Sequence, residues 1–286
     1  MKLTLNSIFY IFLLGIVLVS CKKDDDDTIP HDPEAQALLD DENLVDFLQT
    51  HYYIPPAEGE SFGVIDTILN DEEPLYSIVK TKDITYNEID YKLYYLVNNV
   101  GEADLYPSRT DSVLVKYNGF DLDSTNFDSK TNFTWLKLSS TIQGWGYGFS
   151  FFKGGTNVSQ PGEPLAYENT GKGVLFIPSG LAYGQYGSGS IGVNEPLIFH
   201  IELAAVKRVD TDGDGIFDIY EDENGNGNFN DDDTDEDGVP NYGDTDDDGD
   251  GILTINENSD PNGDGNPDDA LDTDEDGTPD YLDADN

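Results

Sequence analysis

From Val209 to Asn286 the chain carries 25 Asp and 5 Glu and not one Lys or Arg. A segment of that composition repels itself and holds too few apolar side chains to collapse unaided. Its acids are nevertheless ordered. "DTDGDGIFDIYE", Asp210–Glu221, has acids at positions 1, 3, 5, 9 and 12 (Asp210, Asp212, Asp214, Asp218 and Glu221) with Gly at 6. That is the oxygen-ligand spacing of a calcium loop. "DDDGDGILTINE", Asp246–Glu257, repeats it through Asp246, Asp248, Asp250 and Glu257, with Thr at position 9. Related units start at Asp222 (with Asn224 and Asn226), Asp233 (Asp235, Asp237), Asp260 (Asn262, Asp264, Asp268) and Asp272 (Asp274, Asp276, Asp280). Asp244 and Asp283 complete the candidate ligand set. Successive starts are 12, 11, 13, 14 and 12 residues apart. The loops run head to tail with no room for the flanking helices of an EF-hand. Asp233 is position 12 of one unit and position 1 of the next, so carboxylates are open to sharing between ions. Six divalent ions would lower the segment's charge from −30 to −18. A disordered acidic brush is the alternative, but a brush needs no Gly at one fixed place in each unit.

The rest of the 286-residue chain is less extreme. The whole has 59 acidic and 14 basic residues, net charge −45, so two regions of different physics meet near Arg208. An acidic chain is repelled by phosphate, which argues against a nucleic-acid partner. A single cysteine, Cys21, rules out an internal disulfide and thiolate metal sites. His31, His51 and His200 are scattered, and no HExxH, GxSxG or GxxxxGK motif occurs. Hydrolysis by a triad or by zinc has no support.

Lys2 precedes an apolar run from Ile8 to Val19, too short to span a bilayer and the right length for a signal-peptide core. The run leads into "LVSC", Leu18–Cys21, which resembles a bacterial lipobox with Cys21 as the lipidated residue. An ordinary signal sequence with an incidental Cys is the alternative. "KKDDDD", Lys22–Asp27, reads either as a solvated tether or as a sequence similar to the surface-export signals of bacterial lipoproteins.

Asp40–Glu42 is a candidate helix start, with Leu44, Phe47, Leu48 and His51 on one face and Pro55–Pro56 ending it. Residues 59–83 show no clear period. Ile89, Tyr91, Leu93, Tyr95 and Val97 alternate within residues 86–99, predicting a strand. Val113, Val115 and Tyr117 alternate likewise, as do Leu197, Phe199, Ile201 and Leu203, which fits an antiparallel sheet with one apolar face packed on something. Residues 143–151 form a candidate short helix carrying Trp145 and Phe149 one turn apart, despite Gly144, Gly146 and Gly148.

Five blocks, in order over roughly residues 92–206, carry a resemblance: "VLVKYNGF", "NFDSK", "IQGW", "FIPSGLAYG" and "PLIFHIEL". Together they resemble the FKBP-type peptidyl-prolyl isomerases. The resemblance implies an α+β fold, a curved antiparallel sheet wrapped on a short helix. By position it implies a pocket of Tyr117, Phe127, Asp128, Phe133, Ile142, Trp145, Tyr183, Ile191 and Phe199. Trp145 would floor it under the proline ring, Tyr117, Phe133 and Phe199 would wall it, Tyr183 would bond the substrate backbone, and Asp128 would orient Tyr117 or face the rotating carbonyl. No cofactor is implied for catalysis. Three departures stand out: Thr141 where the family has Val, a long segment 154–173, and a loop 187–196 without the usual "IPP".

The tail resembles thrombospondin type 3 calcium repeats, an irregular fold. The expected organisation is a signal peptide (1–20), a tether (21–33), an N-terminal helix and extension (34–85), an isomerase-like domain (86–207) and acidic calcium-binding repeats (208–286). The expected protein is an isomerase acting on proline-containing polypeptides, lipid-anchored in the bacterial cell envelope. The alternative is a non-catalytic surface or adhesion lipoprotein using the same module to bind peptide. Oligomeric state is not legible.

Overall fold

The computed structural model describes residues 31–285. The expected signal peptide, Cys21 and the acidic run after it lie outside the described residues. Helix α1 spans Pro33–Thr50. Asp32 caps it by accepting the Ala35 N–H at 3.1 Å, and Pro33 opens its first turn. The helix therefore starts a full two turns before the expected Asp40. Asp40 lies inside it, fully buried, and accepts the backbone N–H of Ser179 at 2.7 Å and the Gln36 amide at 2.8 Å. Burial raises its pKa above the usual carboxylate value. Leu44, Phe47 and Leu48 form the buried stripe. His51 leaves the helix and opens strand β1 (His51–Ile54), its ring stacked on Phe47 at 3.9 Å. β1 pairs with β2 (Val64–Thr67).

The core is a six-stranded antiparallel sheet built from β3 (Lys80–Tyr86), β4 (Ile89–Asn99), β5 (Ser112–Phe120), β6 (Asn126–Lys137), a small hairpin of β7 (Thr156–Asn157) and β8 (Tyr167–Glu168) outside it, β9 (Gly171–Ile177) and β10 (Leu197–Lys207). The order across the sheet is β3-β4-β9-β10-β5-β6. Residues 86–99 are not one strand: Asn87 and Glu88 both adopt positive φ and turn β3 into β4. The alternation in β4 from Ile89 onward stands. Bulges shift the register of β5 on β6 and of β10 on β5, and the sheet bends there.

Helix α2 (Gln143–Phe149) lies on one face of the sheet, packed with Tyr117, Leu175, Ile177, Phe199 and Ile201. Three glycines in seven residues cost about 1 kcal/mol each relative to Ala. Burying Trp145 and Phe149 returns about 1.5–3 kcal/mol apiece. The glycines also permit the approach: a Cβ at Gly144 would sit 2.3 Å from Ile177, and one at Gly148 2.5 Å from Leu175. Helix α1 covers the opposite face through Leu44, Phe47 and Leu48 against Tyr94, Leu96, Val174, Phe176 and Ile198. β10 is thus buried on both faces.

The tail packs in the same compact unit as the sheet. Arg109 stacks on Tyr147 at 4.3 Å, bonds Gln143 at 3.1 Å and donates to the Gly227 carbonyl. Lys137 donates to Thr211 at 2.8 Å. No described helix is long and apolar enough to cross a membrane.

Candidate functional site

A cleft of about 400 Å³ opens between α2, β5, β6, β10 and the loops after β6 and β9. The loop before α2 brings Ile142 and α2 brings Trp145, while β5 brings Tyr117 and β10 brings Phe199. The rings meet edge to face. Tyr117 and Trp145 are 5.0 Å apart at 82°, Trp145 and Phe199 5.1 Å at 88°, Phe127 and Phe199 5.5 Å at 83°. Trp145 and Phe199 are both 4% exposed. Ile191 and the half-exposed Tyr183 form the rim. The Tyr117 hydroxyl donates to Asp128 Oδ2 at 2.6 Å. Burial first, then that bond, pushes the Tyr117 phenol well above its ordinary pKa, so it remains a neutral donor. The Trp145 indole N–H is buried without a hydrogen-bond partner.

Phe133 is not in this cleft. Its ring lies under the Lys116 ammonium at 4.1 Å and against Tyr167 at 5.4 Å. Lys116 and Tyr117 are neighbours in β5 and point to opposite faces, so Phe133 sits on the face away from Trp145. The cause is the bulge in β6, where the pairing jumps from Val115–Thr134 to Tyr117–Lys130. Leu136 lines the cleft from that strand instead. The sequence reading also missed Ser140 and residues 188–190 of the rim, and Gly119, where a Cβ would lie 2.7 Å from Phe127 and 2.8 Å from Phe199. The Thr141 hydroxyl turns back to the Leu138 carbonyl at 2.8 Å.

In the tail the six expected units share one backbone. Position 4 has positive φ in each (Gly213, Gly225, Glu236, Gly249, Gly263, Glu275), as does the glycine at position 6. The side chain at position 3 accepts the N–H of position 5, as Asp212 does from Asp214 and Asp274 from Asp276. The side chain at position 5 accepts the N–H of position 7, as Asp214 does from Ile216 and Asp250 from Ile252. These bonds hold carboxylate oxygens together: Asp210, Asp212 and Asp214; Asp233, Asp235 and Asp237; Asp246, Asp248 and Asp250; Asp272, Asp274 and Asp276. Buried carboxylate oxygens of Asp212, Asp214, Asp222, Asp233, Asp246 and Asp248 have no hydrogen-bond partner. Closely grouped, under-bonded carboxylate oxygens are what a hard divalent cation requires, so the residues suit calcium. Burial, then the neighbouring acids, raises Asp212 to about 7 and Asp214 to about 6.

At position 9 one carboxylate oxygen of Asp218 is engaged within its own unit, while its Oδ1 is buried without a hydrogen-bond partner. Asp218 Oδ2 accepts the Thr211 hydroxyl at 2.6 Å, and Asp280 accepts both the Thr273 N–H and its hydroxyl at 2.6 Å. These acids tie position 9 to position 2 of their own units. In the second unit, Asn224 and Asn226 give their amides to Asp231 and Asp232, while Asp222 accepts the Gly227 N–H. Asp260 accepts the Gly265 N–H, and Asn262 that of Asp264. Asp244 accepts from Asp246 and Asp283 from Asp285; Asp268 sits in the turn Pro267–Asp269.

Residues 104–204 match the FKBP-type peptidyl-prolyl cis-trans isomerase family, and residues 211–270 match the BamM C-terminal family. Among the relatives are the FKBP-type peptidyl-prolyl cis-trans isomerase FkpA of Aeromonas hydrophila and the outer membrane protein MIP of Legionella longbeachae. The first is 34% identical over 125 residues, covering 43% of this chain and 41% of its own; the second is 32% identical over 106 residues, covering 36% and 39%. A crystal structure of FkpA from Escherichia coli is 30% identical, covers 44% of this chain and 51% of that one, and superimposes with a TM-score of 0.34. The chain spans about two fifths of the length of these two curated relatives. Residues 104–204, which carry the aromatic cleft, are thus similar in sequence to the FKBP-type peptidyl-prolyl cis-trans isomerase family.

Proposed function

We propose that the cleft catalyses rotation about X–Pro bonds in polypeptides. The observation that carries this reading is the perpendicular closure of Tyr117, Phe199 and Trp145 around one apolar floor, with Tyr117 held by Asp128. Rotation requires loss of amide resonance, a barrier of about 18–20 kcal/mol, and calls for no nucleophile or metal. The twisted amide has a less polar carbonyl than the planar one. A dry aromatic pocket therefore binds it better, and that difference is the catalysis. The proline ring rests on Trp145, the carbonyl faces the Tyr117–Asp128 side, and Tyr183 at the rim meets the peptide backbone. A protease-coupled assay on Xaa-Pro peptides tests it: Trp145→Ala should lose most of the rate.

The tail binds calcium in its repeated loops, each ion taking side-chain oxygens from positions 1, 3 and 5, carboxylates throughout except the amides of Asn224, Asn226 and Asn262. Calcium supplies positive charge there and takes no part in isomerisation. Cys21 and the preceding apolar run anchor the protein to the bacterial cell envelope, which agrees with the outer-membrane name of the Legionella relative. A second reading, peptide binding without catalysis, is favoured by the altered rim, where Tyr186 and Val193 are 84% and 65% exposed. Binding of a proline peptide with no rate above background would select it.

A further inference from the structure

Asp247 belongs to no loop in the expected ligand set. It is the second residue of the fourth unit, where the first, third and sixth units have Thr. In those units Thr bonds the residue at position 9, as Thr234 does with Asn241. In the fourth unit the pair is exchanged: Thr254 stands at position 9 and accepts the Asp247 backbone N–H at 3.2 Å. The Asp247 carboxylate turns to the first unit. There it meets Asp214, at position 5, and Glu221, at position 12, with oxygens of all three within 4.8 Å of one another.

The three are 2%, 1% and 2% exposed in that order. Neither carboxylate oxygen of Glu221 or Asp247 has a hydrogen-bond partner, nor has Oδ2 of Asp214. Among the described residues, no Lys or Arg forms an ion pair with any of them. Three buried carboxylates without a counter-charge oppose folding strongly. Calcium–oxygen distances of about 2.3–2.6 Å put opposite ligands of one ion roughly 5 Å apart. Oxygens that all lie within 4.8 Å of one another fit inside one such coordination sphere. The two units also touch elsewhere: a Cβ on Gly215 would lie 4.0 Å from Ile255.

We infer that Asp214, Glu221 and Asp247 enclose a calcium ion that clasps the first repeat to the fourth. The inference rests on the calcium reading of the tail and adds to it a ligand from a distant unit. The ion then does more than neutralise one loop. It joins Asp214 to Asp247, 33 residues on in the chain, and its binding becomes a folding step of the whole tail.

The test is Asp247→Asn in the full chain, with calcium titrated calorimetrically and thermal unfolding followed with and without chelator. One ion should weaken by at least about tenfold, the lower end of what even outer-shell partners cost. The sign of the stability change should reverse. With calcium the variant melts below wild type; with chelator it melts above, because a buried repulsive charge has gone. Glu221→Gln should weaken the same ion, and the double variant should add nothing for it. Asp274→Asn, in the sixth unit, should weaken a different ion without that reversal. If wild type binds calcium but Asp247→Asn leaves every ion unchanged, or shifts melting in one direction under both conditions, the clasp is wrong and the loop sites stand. If wild type binds no calcium, the reading of the whole tail fails.

Discussion

Replacing a helical glycine by alanine ordinarily stabilises a protein by about 1 kcal/mol. Helix α2 should reverse that rule at Gly144 and obey it at Gly146. At Gly144 the added methyl would lie 2.3 Å from Ile177 Cγ2, 3.0 Å from its Cδ1 and 3.1 Å from its Cγ1. Ile177 is fully buried in β9, so it has nowhere to move. Overpacking of this kind costs about 1–3 kcal/mol, typically more than the propensity gain. The net loss for Gly144→Ala should be about 1 kcal/mol, the middle of the overpacking range less the propensity gain. At Gly146 the methyl meets Arg109 alone, its Cγ at 3.3 Å, Cβ at 3.5 Å and Cα at 3.8 Å, so a shift of a few tenths of an ångström relieves the contact and the variant should gain up to about 1 kcal/mol. Urea unfolding of the full chain in excess calcium, followed by tryptophan fluorescence, measures both. Gly144→Ala as stable as wild type, or more stable than Gly146→Ala, would refute the argument that glycine is there for contact with β9.

Tyr117→Phe removes the bond to Asp128, worth about 1 kcal/mol, and should lower kcat/KM roughly five- to tenfold with the cleft otherwise intact. Because burial raises the Tyr117 phenol above its ordinary pKa of 10, its protonated form persists beyond that pH, and kcat/KM should be flat from pH 6 to 9. Buried His200 is pushed down to about 4 from 6.5, so the stability of its neutral form is complete above pH 6.5 and is lost as pH falls toward 4. Between pH 7.5 and 4.5 wild type should lose about 2–3 kcal/mol more than His200→Leu in parallel urea titrations. Chelator should expand the tail through self-repulsion, visible as a larger radius of gyration by scattering; unchanged dimensions would contradict the calcium reading.

Much of the sheet was legible because its strands alternate. In β10, Leu197, Phe199, Ile201 and Leu203 identify the face that carries the cleft. The same strand also buries Ile198, His200 and Glu202, which period-2 patterning does not announce, since that burial depends on α1 and β1 packing from far away in the chain. The start of α1 was missed because Asp40 looks like a cap; its partner is Ser179, 139 residues distant. Phe133 was misplaced because a bulge changes which face each residue takes without marking the sequence. In the tail the loop spacing was legible, but the bonds from position 9 to position 2 and the approach of Asp247 to Asp214 and Glu221 were not, since both depend on how units fold on themselves and on one another.

The most direct test is the cis-to-trans rate of an Ala-Xaa-Pro-Phe peptide measured by protease coupling with wild type and with Trp145→Ala. The cleft as described predicts a rate well above the uncatalysed tens of seconds for wild type and close to it for the variant. A wild-type rate equal to background, or a Trp145→Ala rate equal to wild type, would contradict it.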